Sequence, residues 1–599
     1  MKDRPRAVVA ELVAVGRGAG ARPAFEAGPV IALAKHSRKG ATIGDLALVR
    51  LRGAGGEVIE RLGRADEIRD VLAALLVHGQ LPRRFRPDVI EEAERAAPRA
   101  TTIDPGRVDL TGQRVITIDP EGAKDHDDAV AVSQEGDAIR LWVHIADVAW
   151  FVPTGGAIDR EAAHRATSVY LPGTVVPMLP ERLSTDLCSL RPGDPRKVVT
   201  AEMLIGPNGV VRETRFYRSL VRSERRLSYP QVDALFAGTS LGDSGLEADL
   251  ACARRVAEWL REARMGRGAL EIVSGEAAFR FDGDRLAEAV MEGQTPSHSL
   301  VEECMIAANE AVARFLIGAE RQTVFRIHPD PKPRAIERLY DRLEALDVPL
   351  PPLSDGPLTP DQCSAAARDA SAAVARRLSG GGPGARAFPA IVLRGLERAY
   401  YDVGPPGHSG LASTAYLHFT SPIRRYPDLL VHRTLLAALG IEESAPGLVA
   451  LAGSAADSSE REREAQSLEN RADRICLAFL LKDRLVRDGW NEAFTAEITG
   501  LVPAGAFLAF GEAFEGFLPA SRVGAEDWRL DPAEVMLVGE RSGRRLRLGE
   551  TVEVRVTSIE PLRGRVTVEP VEGAVSAATG PPRSRQARRH PPRINRRGR

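Results

Sequence analysis

Residues 117–132 read Thr-Ile-Asp-Pro-Glu-Gly-Ala-Lys-Asp-His-Asp-Asp-Ala-Val-Ala-Val, and no other stretch constrains the chain as tightly. Four aspartates, Asp119, Asp125, Asp127 and Asp128, fall within ten positions, between the apolar runs Val115–Ile118 and Ala129–Val132. Apolar runs set so close on both sides are expected as strands that hold the loop between them rigidly. Carboxylates crowded in this way repel one another unless cations sit among them. Hard divalent cations such as magnesium take oxygen ligands of this kind and keep waters and substrate phosphates in the rest of their shell. The arrangement suits metal-assisted attack on a phosphodiester. Two other readings compete. An Asp-rich loop is commonly a solvated turn, since short acidic side chains cap nearby backbone groups, but such turns rarely have apolar strands so tight on each side. The alternating acids, central glycine and late glutamate of an EF-hand calcium loop are absent.

A chain of 599 residues exceeds one ordinary core and implies roughly three to five domains. Its 44% hydrophobic and 27% charged residues are those of a globular protein. There is no run of about 18 apolar residues, so no membrane span is expected. Nor does an apolar leader follow Met1-Lys-Asp-Arg-Pro-Arg6. The five cysteines, at 188, 252, 304, 363 and 476, form no Cys-x-x-Cys pair. That argues against a disulfide framework or structural zinc, and for a reducing, cytoplasmic setting. With 81 basic and 82 acidic residues the overall charge speaks mildly against a nucleic-acid binder. Distribution matters more: Pro581–Arg599 holds eight arginines and no acid, a solvated and phosphate-seeking tail.

Along the chain, residues 1–25 are rich in Gly, Ala and Arg and are expected to be loosely ordered. Short runs at Val30–Ala34, Leu46–Leu51 and Val58–Leu62 predict a small, abbreviated oligonucleotide-binding-type barrel over 26–65. A helical linker over 66–104 follows: Ile68, Val71, Leu72, Leu75 and Leu76 share one helical face, with Asp66 as cap and Gly79 as stop, and Pro87 opens a second helix. The region 105–487 mixes strands (139–152, 197–205) with helices (299–317, 367–378, 428–439) and a long charged helix over 461–487. Gly380–Gly384 lacks the Lys-Ser or Lys-Thr of a P-loop and reads as a connector. Gly238-Thr-Ser-Leu-Gly242 fits the serine-hydrolase elbow only formally, lying in a loop without the preceding strand. After Trp490 alternation returns at Phe494, Ala496 and Ile498 and at Val552, Val554 and Val556. This stretch, 491–571, resembles an S1 RNA-binding domain, with Phe507 after a turn glycine as the candidate base stacker. Residues 572–599 are expected to form a basic, disordered tail.

The spacing Asp-x5-Asp-x-Asp-Asp resembles the active-site loop of the ribonuclease II / ribonuclease R (RNB-domain) exoribonucleases. Further blocks follow in that family's order: Ser168-Val-Tyr-Leu-Pro-Gly173, Val176-Pro-Met-Leu-Pro-Glu181, Leu187-Cys-Ser-Leu190, Gly268-Ala-Leu-Glu271, His298–Asn309, and His418-Phe-Thr-Ser-Pro-Ile-Arg-Arg-Tyr-Pro-Asp-Leu429. The wording of the motifs, the S1-like domain and the basic tail lean towards ribonuclease R. About 100 residues precede the catalytic region, too few for the paired cold-shock barrels of the longer enzymes.

The resemblance implies a multidomain α+β fold: an abbreviated cold-shock-like barrel, a large mixed α/β RNB domain and a C-terminal S1 barrel. It implies a processive 3′–5′ exoribonuclease of single-stranded RNA that releases nucleoside 5′-monophosphates. RNA-decay proteins are the expected partners, and a monomer the expected state. Asp119, Asp125, Asp127 and Asp128 match the four active-site aspartates, holding one or two Mg2+ ions, with Mn2+ as the alternative. Asp127 matches the one most directly tied to catalysis. Arg424 matches the catalytic arginine, and Tyr170 a tyrosine that stacks on the 3′-terminal base. Arg425 is expected on the RNA backbone or on a structural acid. The second aromatic wall of ribonuclease II has no counterpart near His328-Pro-Asp-Pro331, and Glu469 reads as a solvated charge on the long helix. The rival reading is a catalytically inactive RNA-binding protein that keeps the fold.

Overall fold

The computed structural model describes residues 7–574 apart from 54, 103, 271–274, 382 and 442–444. The basic tail from Pro581 to Arg599, Glu271 and Gly382 therefore lie outside the described residues. Strands β1 (Ala7–Val15), β2 (Gly18–Pro23), β3 (Ile31–Leu33), β4 (Asp45–Arg52) and β5 (Gly55–Arg64) close a barrel in the order β1-β2-β3-β5-β4. Residues 7–25 are thus not loosely ordered, and the barrel opens at Ala7 rather than at residue 26. The reason is packing: β2 consists largely of Gly and Ala because a Cβ at Gly20 would overlap the side chains of Val30 and Val15. Such residues carry little strand propensity of their own.

Helix α1 (Ile68–His78) buries Ile68, Val71, Leu72, Leu75 and Leu76, as their spacing requires. It starts after Glu67, and the cap expected of Asp66 is not formed. Helix α2 (Pro87–Ala96) leads into the central sheet. Its strands are β6 (Val108–Asp109), β7 (Val115–Asp119), β8 (Asp128–Glu135) and β9 (Ala138–Ala146). A separate hairpin, β10 (Val169–Leu171) and β11 (Thr174–Val176), comes next, and then the sheet strands β12 (Pro195–Ile205) and β13 (Val211–Ser228). The sheet order is β12-β9-β8-β7-β13-β6. The long strand β13 pairs first with β12 and then, in parallel, with β7, so that Ser228 stands opposite Asp119. The strand expected over 139–152 stops at Ala146. Asp147, buried between Arg107 and Arg218, instead accepts the Trp150 N–H and starts a short helix.

Ile139, Leu141, Val143 and Ile145 of β9 share one core with Leu300, Cys304 and Val312 of the helix Pro296–Gly318. The long helix runs from Leu448 to Asp488, starting earlier than the charged stretch suggests, and packs against α1, β10 and the C-terminal barrel. That barrel is closed by the strands Ala493–Val502, Gly505–Phe510, Phe514–Pro519, Thr551–Glu560 and Arg565–Pro570. Its strands are connected in the same order as those of the first barrel. Gly505, at φ +154°, lies so close to the Leu518 carbonyl that any Cβ would overlap it. All five cysteines are free. Among the described residues no helix is long and apolar enough to cross a membrane.

Candidate active site

Asp119 ends β7 and Asp128 begins β8, so the four acids occupy one strand–loop–strand unit. The loop is pinned from both sides. Ser189 Oγ accepts the His126 N–H at 3.2 Å and donates to the Lys124 carbonyl at 2.8 Å, while Leu190 N–H donates to the His126 carbonyl at 3.0 Å. From β9, Ala146 N–H donates to the Asp127 carbonyl at 2.8 Å. The extended backbone sends successive side chains to different neighbours. Asp125 Oδ2 accepts the Tyr170 hydroxyl at 2.9 Å. His126 Nδ1 lies 2.8 Å from Asp119 Oδ2. Asp127 Oδ1 accepts the Ile423 N–H at 2.8 Å, and its Oδ2 lies 3.8 Å from Arg424 Nε.

Burial pushes the Asp127 carboxyl well above the usual carboxylate range, although Arg424 pulls the other way. Asp128 keeps some surface but is enclosed by protein, and this burial, reinforced by Asp119, pushes it up to about 7. Among the described residues, no three His, Cys, Asp or Glu side chains converge as a ready-made metal cage. A magnesium site at a phosphoryl-transfer centre does not need one: one or two carboxylates suffice, and water and substrate phosphate complete the shell. Asp127 Oδ2 is buried and has no hydrogen-bond partner among the described residues. That oxygen and the raised carboxyls fit a divalent cation bound in this way.

The arginine block is tied to the tyrosine block across a long stretch of sequence. Thr167 bridges to Arg425, Ser168 N–H donates to the Arg424 carbonyl at 2.9 Å, and Tyr426 N–H donates to the Ala166 carbonyl at 2.9 Å. The Arg424 side chain is 47% exposed and only loosely engaged, 3.3 Å from Ser421 Oγ. Arg425 differs. It forks onto the fully buried Asp428 at 2.9 and 2.7 Å. Burial works against its charge, yet Asp428 outweighs it and holds its pKa above the ordinary arginine value. Of the two roles expected for Arg425, the structure provides the structural acid rather than an open RNA contact.

Tyr170 is 37% exposed, and burial of much of its ring followed by the nearby Asp125 raises its pKa. Glu469, expected as a solvated charge, instead accepts the Tyr170 N–H at 2.8 Å and anchors β10. Sequence reasoning also missed Tyr229. It follows Ser228, which stands opposite Asp119, and it stacks on His298 with ring centroids 3.8 Å apart. Burial, then Asp128 and Asp119, raises its pKa. Only the pairing of β13 with β7 reveals that proximity. At His328-Pro-Asp-Pro331, where no second aromatic wall is expected, His328 stacks on His408 with centroids 5.0 Å apart.

Phe507 lies away from the acids, on the C-terminal barrel. It is 49% exposed, with its ring 5.2 Å from that of Phe517. Both line a cleft of about 910 Å³ together with Arg394, Arg471, Arg474 and Arg565. An exposed aromatic beside a half-buried one, among arginines, has the chemistry of surfaces that stack bases and hold phosphates.

A family model for the RNB domain matches residues 107–441, and one for the S1 RNA binding domain matches residues 488–577. Ribonuclease R of Escherichia coli (strain K12) is 36% identical over 470 residues, covering 76% of this chain and 56% of its own length. Ribonuclease R of Thermotoga maritima is 34% identical over 550 residues, covering 86% of this chain and 72% of its own. The chain thus spans little more than half the length of the E. coli relative. Mycoplasma genitalium RNase R, solved in complex with ribose methylated single-stranded RNA, matches with a TM-score of 0.83 at 23% identity, covering 94% of this chain and 89% of that one. Yeast Ssd1, a pseudonuclease, has the same fold at a TM-score of 0.65 and 16% identity, covering 90% of this chain and 68% of that one, so fold alone does not carry activity. On the strength of the two domain matches and the relatives, the chain belongs to the RNB-domain family of ribonuclease II and ribonuclease R, and stands closer to ribonuclease R.

Proposed function

We propose that the chain is a metal-dependent 3′–5′ exoribonuclease that degrades single-stranded RNA processively to nucleoside 5′-monophosphates, as a monomer in cytoplasmic RNA turnover. The observation that carries this reading is the convergence of Arg424 and Tyr170 on the acid loop. Magnesium or manganese held by Asp119, Asp125, Asp127 and Asp128 would supply charge neutralisation at the phosphoryl group and an activated water. The chain's own groups do the rest. Ile423 N–H fixes one oxygen of Asp127 and leaves the other for the reacting centre. Arg424, loosely engaged, has paired donors to offer the charge that develops on the phosphoryl oxygens. The ring of Tyr170, held through its hydroxyl by Asp125 and through its amide by Glu469, receives the terminal base, a contact that tolerates any base.

Phe507 and the arginines of its cleft would hold the incoming strand, so that RNA stays bound between cleavages. Relatives support RNA as the ligand, since Mycoplasma genitalium RNase R has been solved with single-stranded and with double-stranded RNA. Digestion of uniformly labelled single-stranded RNA with magnesium, followed by anion-exchange separation, tests the reaction. Nucleoside 5′-monophosphates and one short residual oligonucleotide are expected. Nucleoside 3′-monophosphates, or a spread of mid-length fragments, would refute it.

A further inference from the structure

The hairpin that carries Tyr170 is too small to hold its own place. β10 and β11 pair over three residues each, with Tyr170 opposite Val175, and the pair joins no larger sheet. An isolated two-stranded hairpin is marginal in water. Val169, Leu171 and Val176 pack into one core with Ile68, Val71, Leu72 and Leu75 of α1, and strand alternation then sends Tyr170 to the opposite face, towards Asp125. A second isolated hairpin, β14 (Glu276–Asp282) and β15 (Arg285–Glu292), lies beside the first. One side chain joins the turns of both. Arg69, in the first turn of α1, donates from Nη1 to the Gly173 carbonyl at 2.8 Å and from Nη2 to the Gly283 carbonyl at 3.2 Å. Its guanidinium lies 4.1 Å from the centre of the Phe281 ring. Gly173, at φ +69°, has no room for a side chain: a Cβ would come within 2.5 Å of Arg69 Nη1 and 3.0 Å of the Phe281 ring. A cation at this end of a helix opposes the helix dipole, so the charge of Arg69 does nothing for α1 itself. A planar fork can meet two carbonyls while lying flat on a ring, which an ammonium cannot. The bonds to Asp125 and Glu469 hold the hydroxyl and amide of Tyr170 and leave the turn to Arg69.

We propose that Arg69 is a positioning residue for the Tyr170 ring: by fixing the turn between β10 and β11 it sets where that ring meets the 3′-terminal base. The inference rests on the reading of Tyr170 as the base stacker. Arg69 acts through the hairpin and is not itself placed on the RNA. With the guanidinium gone, the turn swings on the two ties at Tyr170, and the ring leaves the plane that a base needs. Because α1 also packs on β1 and β5, the same side chain ties the stacking ring to the first barrel. Loss of Arg69 therefore changes how the terminal base stacks, and it does so only while Tyr170 has a ring to place.

The test uses the full chain in an Asp127→Asn background, so that the RNA end is not removed. Each protein is saturated with a single-stranded RNA whose 3′-terminal base is 2-aminopurine, which loses fluorescence when it stacks. The parent, Tyr170→Ala, Arg69→Ala and the double variant are compared. The proposal expects Arg69→Ala to lose at least half of the quenching that Tyr170→Ala loses, and the double variant to match Tyr170→Ala alone. Parent-level quenching in Arg69→Ala overturns it while leaving the stacker reading intact. A loss of the same size with and without the Tyr170 ring also overturns it, since general loosening of the fold would give that result. Parent-level quenching in Tyr170→Ala withdraws the stacker reading and the proposal with it. Should Arg69→Ala fail to fold, Gly173→Ala decides, because its methyl displaces the same guanidinium from the turn. Quenching lost in Gly173→Ala only when Tyr170 is present supports the proposal, and quenching kept overturns it.

Discussion

The acid loop and the outer face of the C-terminal barrel concentrate charge in opposite ways. At the loop, Asp127 and Asp128 are enclosed, their carboxyls are raised by burial, and Asp127 Oδ2 has no hydrogen-bond partner among the described residues. On the barrel, Phe507 stands open and Phe517 half-buried in a cleft with Arg394, Arg471, Arg474 and Arg565. Crowded acids in a low-dielectric setting destabilise the resting site and favour a cation and the phosphate it carries. An open aromatic surface with mobile cations binds strands weakly and without regard to sequence. On the proposed function, the first design would serve a chemical step and the second capture. The N-terminal barrel sharpens the point. It shares the strand order of the C-terminal barrel, yet its only Phe, Tyr or Trp among residues 7–64 is the buried Phe25. The same scaffold therefore does not imply the same role.

If this division holds, substitutions in the two regions separate turnover from binding. Arg424→Ala should lower the single-turnover rate by about 10²- to 10³-fold, the usual cost of one lost donor to transition-state charge, with RNA affinity nearly unchanged. Phe507→Ala should do the reverse. Stacking contributes about 1–3 kcal/mol per base, so fluorescence-anisotropy titration should show RNA binding about 5-fold weaker or more, with the rate at saturating RNA unchanged. A lost rate in Phe507→Ala, or lost binding in Arg424→Ala, breaks the comparison.

Acid should also distinguish the regions. Burial lowers the pKa of His144 and of His408 to about 3, and it lowers His328, His418 and His432 as well. Between the unfolded value and the folded one, the unfolded state binds more protons. Stability is therefore fully present above about pH 6.5 and is lost as the pH falls from there towards 3, by at most about 1.4 kcal/mol per unit for each histidine. Asp128, raised to about 7, opposes this as the pH falls below 7 in the metal-free protein, as do Asp127 and Glu302, but five histidines outweigh three carboxyls. Residues 493–574, by contrast, contain no histidine. Hydrogen exchange at pH 7.5 and 5 should show protection lost around the central sheet and kept in the C-terminal barrel. The smallest effect is expected at Ile43, an exposed aliphatic of the first barrel: Ile43→Ser should change stability by about 0.5 kcal/mol or less and leave RNA affinity within error.

The parts of the site legible in the sequence were those whose chemistry is local. The aspartate loop, the Tyr170 block and the Arg424 block announce themselves by residue type and spacing. What sequence could not give was made by pairing across the chain. Glu469 becomes an anchor only because the long helix packs on β10, and Tyr229 joins the acids only because β13 runs beside β7. Arg424 and Arg425 are adjacent and alike in sequence, and Asp428 alone distinguishes the loosely held guanidinium from the fixed one. The first barrel was misjudged because its second strand is small residues that strand propensity does not favour, kept there by close packing.

The measurement that bears most directly on the account is a gel time course with 5′-labelled single-stranded RNA, for the wild type and Asp127→Asn, with magnesium or with EDTA. The account predicts a ladder that shortens from the 3′ end only when both the metal and Asp127 are present, while Asp127→Asn still shifts RNA on a native gel. RNA left intact by the wild type but shifted on that gel, or a ladder that survives EDTA, would contradict it.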